Sequence, residues 1–447
     1  MSILVLNGSP KGENSITLQT LRYLEKKYKL DNMEVLHVGQ RIKALEKDFS
    51  SALEAIQRAD LLLFSYPVYT FIAPCQLHRF IELMKEHGAE VRGKMATQVT
   101  TSKHFYDTTA HRYIQDNVQE MGMGFIRGLS ADMEDLTCEK GRKEAENWWK
   151  HLLWCAEKRY FEPYFPIAEV TPPVPVTVPE NNNAEKPGDV VIIADLRPED
   201  TQLAGMVARF RAKLPYASRV VNLREYPFKG GCLGCFRCAV SGKCVYKDGF
   251  DDYLRNEIQT ADSMVYAFTI QDHSMGSLFK MYDDRQFCNG HRTVTIGMPV
   301  GYLISGNLSK EENLRTIIEG RAQVGSNILA GIATDEVDAN GAIDRLADSL
   351  AYALEHKNTG PQNFLGVGGM KIFRDLIYQM RGFMRADHKF FKSHGQYDFP
   401  QKKWPQSLAM YLVGAMIANP RIHAKMGSKM NEGMLMPYKK VLDEMDK

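Results

Sequence analysis

Along this chain, short wholly apolar runs alternate with stretches whose apolar residues recur every three or four positions. Residues 3–6 (Ile-Leu-Val-Leu) and 61–64 (Leu-Leu-Leu-Phe) are runs of the first kind, suited to strands buried on both faces. Between them Leu18, Leu21, Leu24 and Tyr28 share one face of a helix. The same alternation predicts strands at 34–38, 95–101 and 124–131, with helices at 51–60, 76–87, 109–121 and 140–160. Five strands with intervening helices demand a parallel sheet with right-handed crossovers. Residues 166–188 are rich in proline and read as an extended, semi-rigid linker. The alternation then restarts, with strands expected at 190–194, 219–223, 263–268, 293–298 and 327–334. Helices are expected between them at 201–214, 250–259, 276–287, 311–323 and 342–356. A repeat at an offset of roughly 190 residues suggests an internal duplication. The resulting division is a first domain at 1–165, the linker at 166–188, a second domain at 189–358 and a tail at 359–447. In the tail, 364–369 reads as a flexible joint, and 371–385 and 408–418 as helices.

With 447 residues, 44% hydrophobic and 25% charged, the chain has the size and composition of a soluble protein of two or three domains. A net charge of +2 argues against a general nucleic-acid binder. The longest apolar run, 408–418, is too short to span a bilayer. With the first strand starting almost at Met1, no signal peptide and a cytoplasmic location are expected. The tail is basic, with fourteen Lys or Arg against seven Asp or Glu, which suits a solvated helix face more than a membrane surface.

The chemistry concentrates at strand ends, where ligands of doubly wound sheets bind. After the first strand, 7–17 reads Asn-Gly-Ser-Pro-Lys-Gly-Glu-Asn-Ser-Ile-Thr and leads into a helix. Unpaired N–H groups and the positive end of the helix dipole suit a phosphate there, although a plain helix cap has much the same composition. The loop is neither a G-x-G-x-x-G fingerprint nor a Walker loop. After the third strand come Ser65-Tyr-Pro-Val-Tyr-Thr-Phe71, and after the fourth Thr101-Ser-Lys-His-Phe-Tyr-Asp107, both mixing aromatic rings with polar donors. Three such loops converging suit a flat ring with a phosphorylated tail.

These loops, with the continuation Ile72-Ala-Pro-Cys-Gln-Leu-His-Arg-Phe-Ile81, resemble the NADPH-dependent FMN reductase and iron–sulfur flavoprotein group. The resemblance implies a flavodoxin-like sheet ordered 2-1-3-4-5, here as two tandem doubly wound five-stranded domains with a helical carboxy-terminal extension. It implies FMN as cofactor, with Ser9, Lys11, Asn14, Ser15 and Thr17 at the phosphate. Pro67, Val68, Tyr69, Thr70 and Phe71 would lie against phosphate and ring, and Thr101, Ser102 and Lys103 would border the isoalloxazine. Ile16 departs from the polar residue often found there. His104, Tyr69 and Tyr106 are weak candidates for a proton donor. NAD(P)H is the electron donor the resemblance implies; a ferredoxin-like protein is the other option.

The second half has lost this loop. Asp195-Leu-Arg-Pro-Glu-Asp200 stands in its place with three acids, so this half is expected to bind no flavin. It gains Cys232, Cys235, Cys238 and Cys244, spaced C-x2-C-x2-C-x5-C. That compact run favours an iron–sulfur cluster, of the 4Fe-4S type, over zinc, which usually takes two separated knuckles, and over free thiols. Cys75, Cys138, Cys155 and Cys288 read as buried packing residues. The whole is expected to be a fused pseudo-dimer in which the cluster of one half faces the flavin of the other. It would act as a flavin-dependent oxidoreductase on a small molecule or a redox protein. The alternatives are an electron carrier without a substrate of its own, or a thiol- or zinc-based redox sensor.

Overall fold

Every residue of the first strand, Ile3–Asn7 (β1), is buried, as expected for a strand with helices on both faces. The structure is a computed structural model, and it describes residues 1–166, 170–180, 185–419, 435–436 and 438–445. Parts of the linker (167–169 and 181–184) and of the tail lie outside the described residues. The chain divides into two compact units, Met1–Phe390 and Phe391–Lys447.

The first unit holds two parallel sheets. In the first, β1 is joined by Met33–Leu36 (β2), Leu61–Pro67 (β3), Met95–Ser102 (β4), Gly124–Phe125 (β5) and Leu129–Asp132 (β6). Its order is β2-β1-β3-β4-β5, and β6 also pairs with β4, so the run expected as one strand at 124–131 is two short ones. The second sheet consists of Val190–Ala194 (β7), Ser218–Asn222 (β8), Ser263–Thr269 (β9), Pro299–Ser305 (β10) and Ile328–Thr334 (β11). Its order β11-β10-β9-β7-β8 is 2-1-3-4-5 read from the other edge. The two tandem flavodoxin-like sheets and the helical extension are therefore present as expected.

Two local readings are corrected. Residues 293–298 form turns and the strand begins at Pro299. Residues 364–369, read as a joint, open a helix, Phe364–Gln379. Two of its glycines serve close packing: a Cβ on Gly366 would stand 3.0 Å from the Gln323 carbonyl oxygen, and one on Gly369 2.6 Å from Val324 and 3.1 Å from Phe105.

The halves meet through helices Cys75–Glu86 and Ser277–Arg285. The Glu82 carboxylate accepts hydrogen bonds from the Ser277 N–H and hydroxyl (both 2.6 Å), capping the second helix. Asp284 accepts from the Cys75 N–H at 2.8 Å, capping the first. Cys75 and Ser277, like Glu82 and Asp284, lie 202 positions apart, so the capping is reciprocal between equivalent residues. The strained backbone repeats at the same offset. Thr70 and Phe71 have positive φ (45° and 73°), and so do Asp272 and His273 (43° and 58°). Such self-complementarity is what a two-fold interface between identical subunits has, here built into one chain.

The linker crosses the carboxyl end of the second sheet. Thr171 donates to Asn307 beyond β10, the Val174 N–H donates to the Asp335 carbonyl beyond β11, and Gln202 donates to the Val174 carbonyl. It thus covers the strand ends at which the first sheet presents its loops.

In the second unit, helix Trp404–Ile417 carries exposed Leu408, Tyr411 and Leu412. Among the described residues no helix is long and apolar enough to cross a membrane.

Candidate functional site

The loop after β1 is braced from within. The Asn7 amide donates to the Gly12 carbonyl (2.9 Å) and accepts from the Ser9 N–H (3.2 Å), and the Ser9 hydroxyl accepts from the Lys11 N–H. Gly12 takes a positive φ of 55°, which lets the chain turn into Ser15. Ser15 caps helix Ile16–Tyr28, its hydroxyl accepting from the Leu18 N–H. The first N–H groups of that helix have no intrahelical acceptor, the arrangement that suits an anion. A 2.6 Å hydrogen bond between the Thr17 and Thr101 hydroxyls ties the helix to β4.

Ser9, Lys11, Ser15 and Thr17 line one cavity of about 190 Å³ together with Pro67, Val68, Tyr69 and Thr70 from the β3 loop and Thr101, Ser102 and Lys103 from the β4 loop. Lys103 brings its charge already matched, by Asp132 at 2.8 Å and Glu134 at 3.3 Å. Asn14 is exposed and Phe71 is buried against Phe105 and Tyr106; neither is part of this wall. Of the expected proton donors only Tyr69 reaches it. His104 is half exposed and paired with Asp107 (2.8 Å), and the Tyr106 hydroxyl donates to the Leu365 carbonyl.

Cys232, Cys235, Cys238 and Cys244 line the same cavity. Their loop lies directly on the first half: a Cβ at Gly231 would stand 2.1 Å from the Cys75 sulfur, and one at Gly234 (φ +58°) 1.9 Å from the Tyr69 hydroxyl. The Lys11 ammonium sits 5.6 Å over the Phe236 ring, joining the loop after β1 to the cysteine loop. Arg285 clamps the cysteine loop from below. It donates to the Gly230 carbonyl (2.9 Å), makes two hydrogen bonds to Asp248 (2.9 and 2.8 Å), and stacks 4.3 Å over Tyr246. Burial opposes ionisation of Asp248, but the Arg285 hydrogen bonds and charge outweigh it and hold the carboxyl at about 2. Asp284, also on the wall, accepts from the Thr70 hydroxyl and pairs with the buried Lys280.

Burial pushes the Cys232 thiol well up and that of Cys238 to about 11, so uptake of a metal would release protons. Among the described residues no three His, Cys, Asp or Glu side chains close around a single ion. Tetrahedral zinc needs its sulfurs about 3.8 Å apart, from a Zn–S distance of about 2.3 Å. Four thiols on one cavity wall are a donor set that either zinc or a cubane takes. Of the other cysteines, Cys155 is buried, Cys138 is an exposed cap whose sulfur accepts from the Gly141 N–H, and Cys288 is buried at the cavity wall.

The sequence reading missed Asp284, Arg285 and His291, and it missed Ile372, Phe373 and Leu376 of the helix closing one side. The 202-residue offset at the strained turns is the signal that would have found Asp284, as the counterpart of Glu82.

Residues 1–133 match the family model described as NADPH-dependent FMN reductase. No curated protein matches the sequence. Among solved structures the chain is similar to an NADH:FMN oxidoreductase in its apo form, at 20% identity and a TM-score of 0.29, over 34% of this chain and 87% of that one. A general stress protein 14 in complex with FMN from Treponema denticola matches at 13% identity and a TM-score of 0.28, over 35% and 99%. An NAD(P)H:quinone oxidoreductase from Methanothermobacter marburgensis matches at 14% and 0.28, over 37% and 99%. The family to which the amino-terminal part of this chain, residues 1–133, is matched is thus that of the NADPH-dependent FMN reductases.

Proposed function

We propose that the chain is an FMN-dependent oxidoreductase, with NAD(P)H or a ferredoxin-like protein as donor, whose flavin works beside an iron–sulfur cluster held by Cys232, Cys235, Cys238 and Cys244. One observation carries this reading: three loops of the first half and the cysteine loop of the second share a single cavity. Ser9, Lys11, Ser15 and Thr17 would hold the phosphate through hydroxyls, backbone N–H groups and one ammonium. Val68 and Tyr69 would lie against the ring. Bound FMN supplies hydride uptake and one-electron release, chemistry the protein side chains lack. The cysteine loop and Ile372, Phe373 and Leu376 line the cavity as well, and such a cover over a bound flavin would favour an enzyme over a carrier. The test is purification without oxygen, followed by an absorption spectrum, iron and sulfide analysis, and bleaching of the flavin bands by NADH or NADPH. Flavin with about four iron atoms per chain is expected. Flavin without iron would remove the cluster from the proposal, and a colourless protein that takes up no FMN would end it.

A further inference from the structure

Of the three expected proton donors only Tyr69 reaches the cavity, and burial raises its phenol well above the usual value, which leaves it a poor acid. His291 stands in the cavity wall. Its side chain is 8% exposed, and its Nδ1 lies 2.9 Å from Oδ2 of Asp387, a carboxylate with no exposed surface. The same oxygen accepts from the His291 N–H at 3.1 Å. The ring is wedged edge-on between Phe287 (5.4 Å) and Phe373 (4.9 Å), which fixes its plane. Gly290, at φ +62°, makes room for the carboxylate: a Cβ there would stand 2.2 Å from Asp387 Oδ1. An Nδ1–H donating to Asp387 sets the tautomer, and Nε2 has no hydrogen-bond partner among the described residues.

We propose that His291 is the catalytic proton donor of this site and that Asp387, 96 residues further on, is its positioning residue. This rests on the flavin reading. The acceptor class is a two-electron acceptor with a polarised C=O, C=C–C=O or N=N group. The imidazolium gives its Nε2 proton to the acceptor's heteroatom as the acceptor takes a hydride from reduced FMN. The acceptor's π bond and the Nε2–H bond break, the acceptor gains H⁻ and H⁺, FMN is reoxidised, and His291 is left neutral with its Nδ1–H still on Asp387. The other titratable or charged groups around the pair are Arg292 (Nε 3.6 Å from Asp387), Arg255, Cys238 and Cys288.

The test uses full-length holoprotein, photoreduced without oxygen and mixed with either 2-methyl-1,4-naphthoquinone, which must take up protons, or ferricyanide, which needs none. In His291→Gln the ratio of the naphthoquinone rate to the ferricyanide rate is expected to fall about 100-fold or more. In Asp387→Asn the fall is smaller, because the ring stays in the wall but loses the carboxylate that orients it. In the flavin-free protein, ¹⁵N-histidine spectra are expected to show one Nδ1–H tautomer signal that His291→Gln removes and Asp387→Asn shifts. A wild-type rate ratio in His291→Gln, or the loss of no Nδ1–H signal in that variant, overturns the assignment while leaving the flavin reading intact. Wild-type protein that binds no FMN overturns both.

Discussion

His273 joins the two halves, and its charge should show in the pH dependence of stability. The imidazole is 6% exposed, with Nδ1 3.0 Å from Glu311 and Nε2 3.4 Å from Glu120, an ion-pair distance, at the end of helix Asp107–Glu120 in the first half. Burial opposes the charge, but the two carboxylates outweigh it and lift the group to about 9. An unfolded histidine titrates near 6.5. Because the folded value is the higher one, the stabilisation is complete below about pH 6.5 and is lost as pH rises through 9. Multiplying the shift of roughly 2.5 units by about 1.36 kcal/mol each gives about 3 kcal/mol. The same contact holds Glu120 at about 2, so it is counted once. Urea unfolding of wild type and His273→Gln at pH 6 and pH 9.5 isolates the effect, since groups common to both chains cancel. The variant should be weaker by about 2–3 kcal/mol more at pH 6 than at pH 9.5. Equal losses at the two pH values would refute the reasoning.

Lys11→Gln removes the ammonium nearest the phosphate loop, and FMN affinity should fall about 10- to 100-fold, the value of a charge-assisted hydrogen bond. Riboflavin, which lacks the phosphate, should bind both proteins alike by flavin fluorescence; a parallel loss would contradict the phosphate role. Asp284→Asn weakens a fully buried ion pair with Lys280 and should cost about 3 kcal/mol in denaturant unfolding, with a loss under about 1 kcal/mol speaking against the pairing. Gly234→Ala sets a Cβ against the Tyr69 hydroxyl at a positive φ. It should lower both the melting temperature and FMN affinity, whereas Gly360→Ala, which meets nothing within 4 Å, should change neither.

The sheets were legible because their central strands are uniformly apolar, as in 3–6 and 61–64. Residues 293–298 misled because Thr-Val-Thr-Ile has strand composition, yet Val294 and Ile296 are about half exposed in turns. The true strand opens with a proline, which is tolerated at a strand's first position, and contains Gly301, where a Cβ would stand 3.1 Å from Leu346. In 364–369 glycine density suggested a joint, but Gly366 and Gly369 let one helix lie close on another, a tertiary reason that no local pattern contains. Ser9, Lys11, Ser15 and Thr17, which share the cavity, were readable because strand, loop and helix are consecutive. His291 and Asp387 were not, since 96 residues separate them and neither belongs to a motif.

The central claim is that one flavin sits in the first half of the chain, in the cavity faced by the cysteine loop of the second. Native mass spectrometry of the protein titrated with FMN without oxygen tests it most directly, run beside Gly234→Ala. The account predicts one FMN per chain in the wild type and weakened occupancy in the variant. Two FMN per chain, or none, would contradict it.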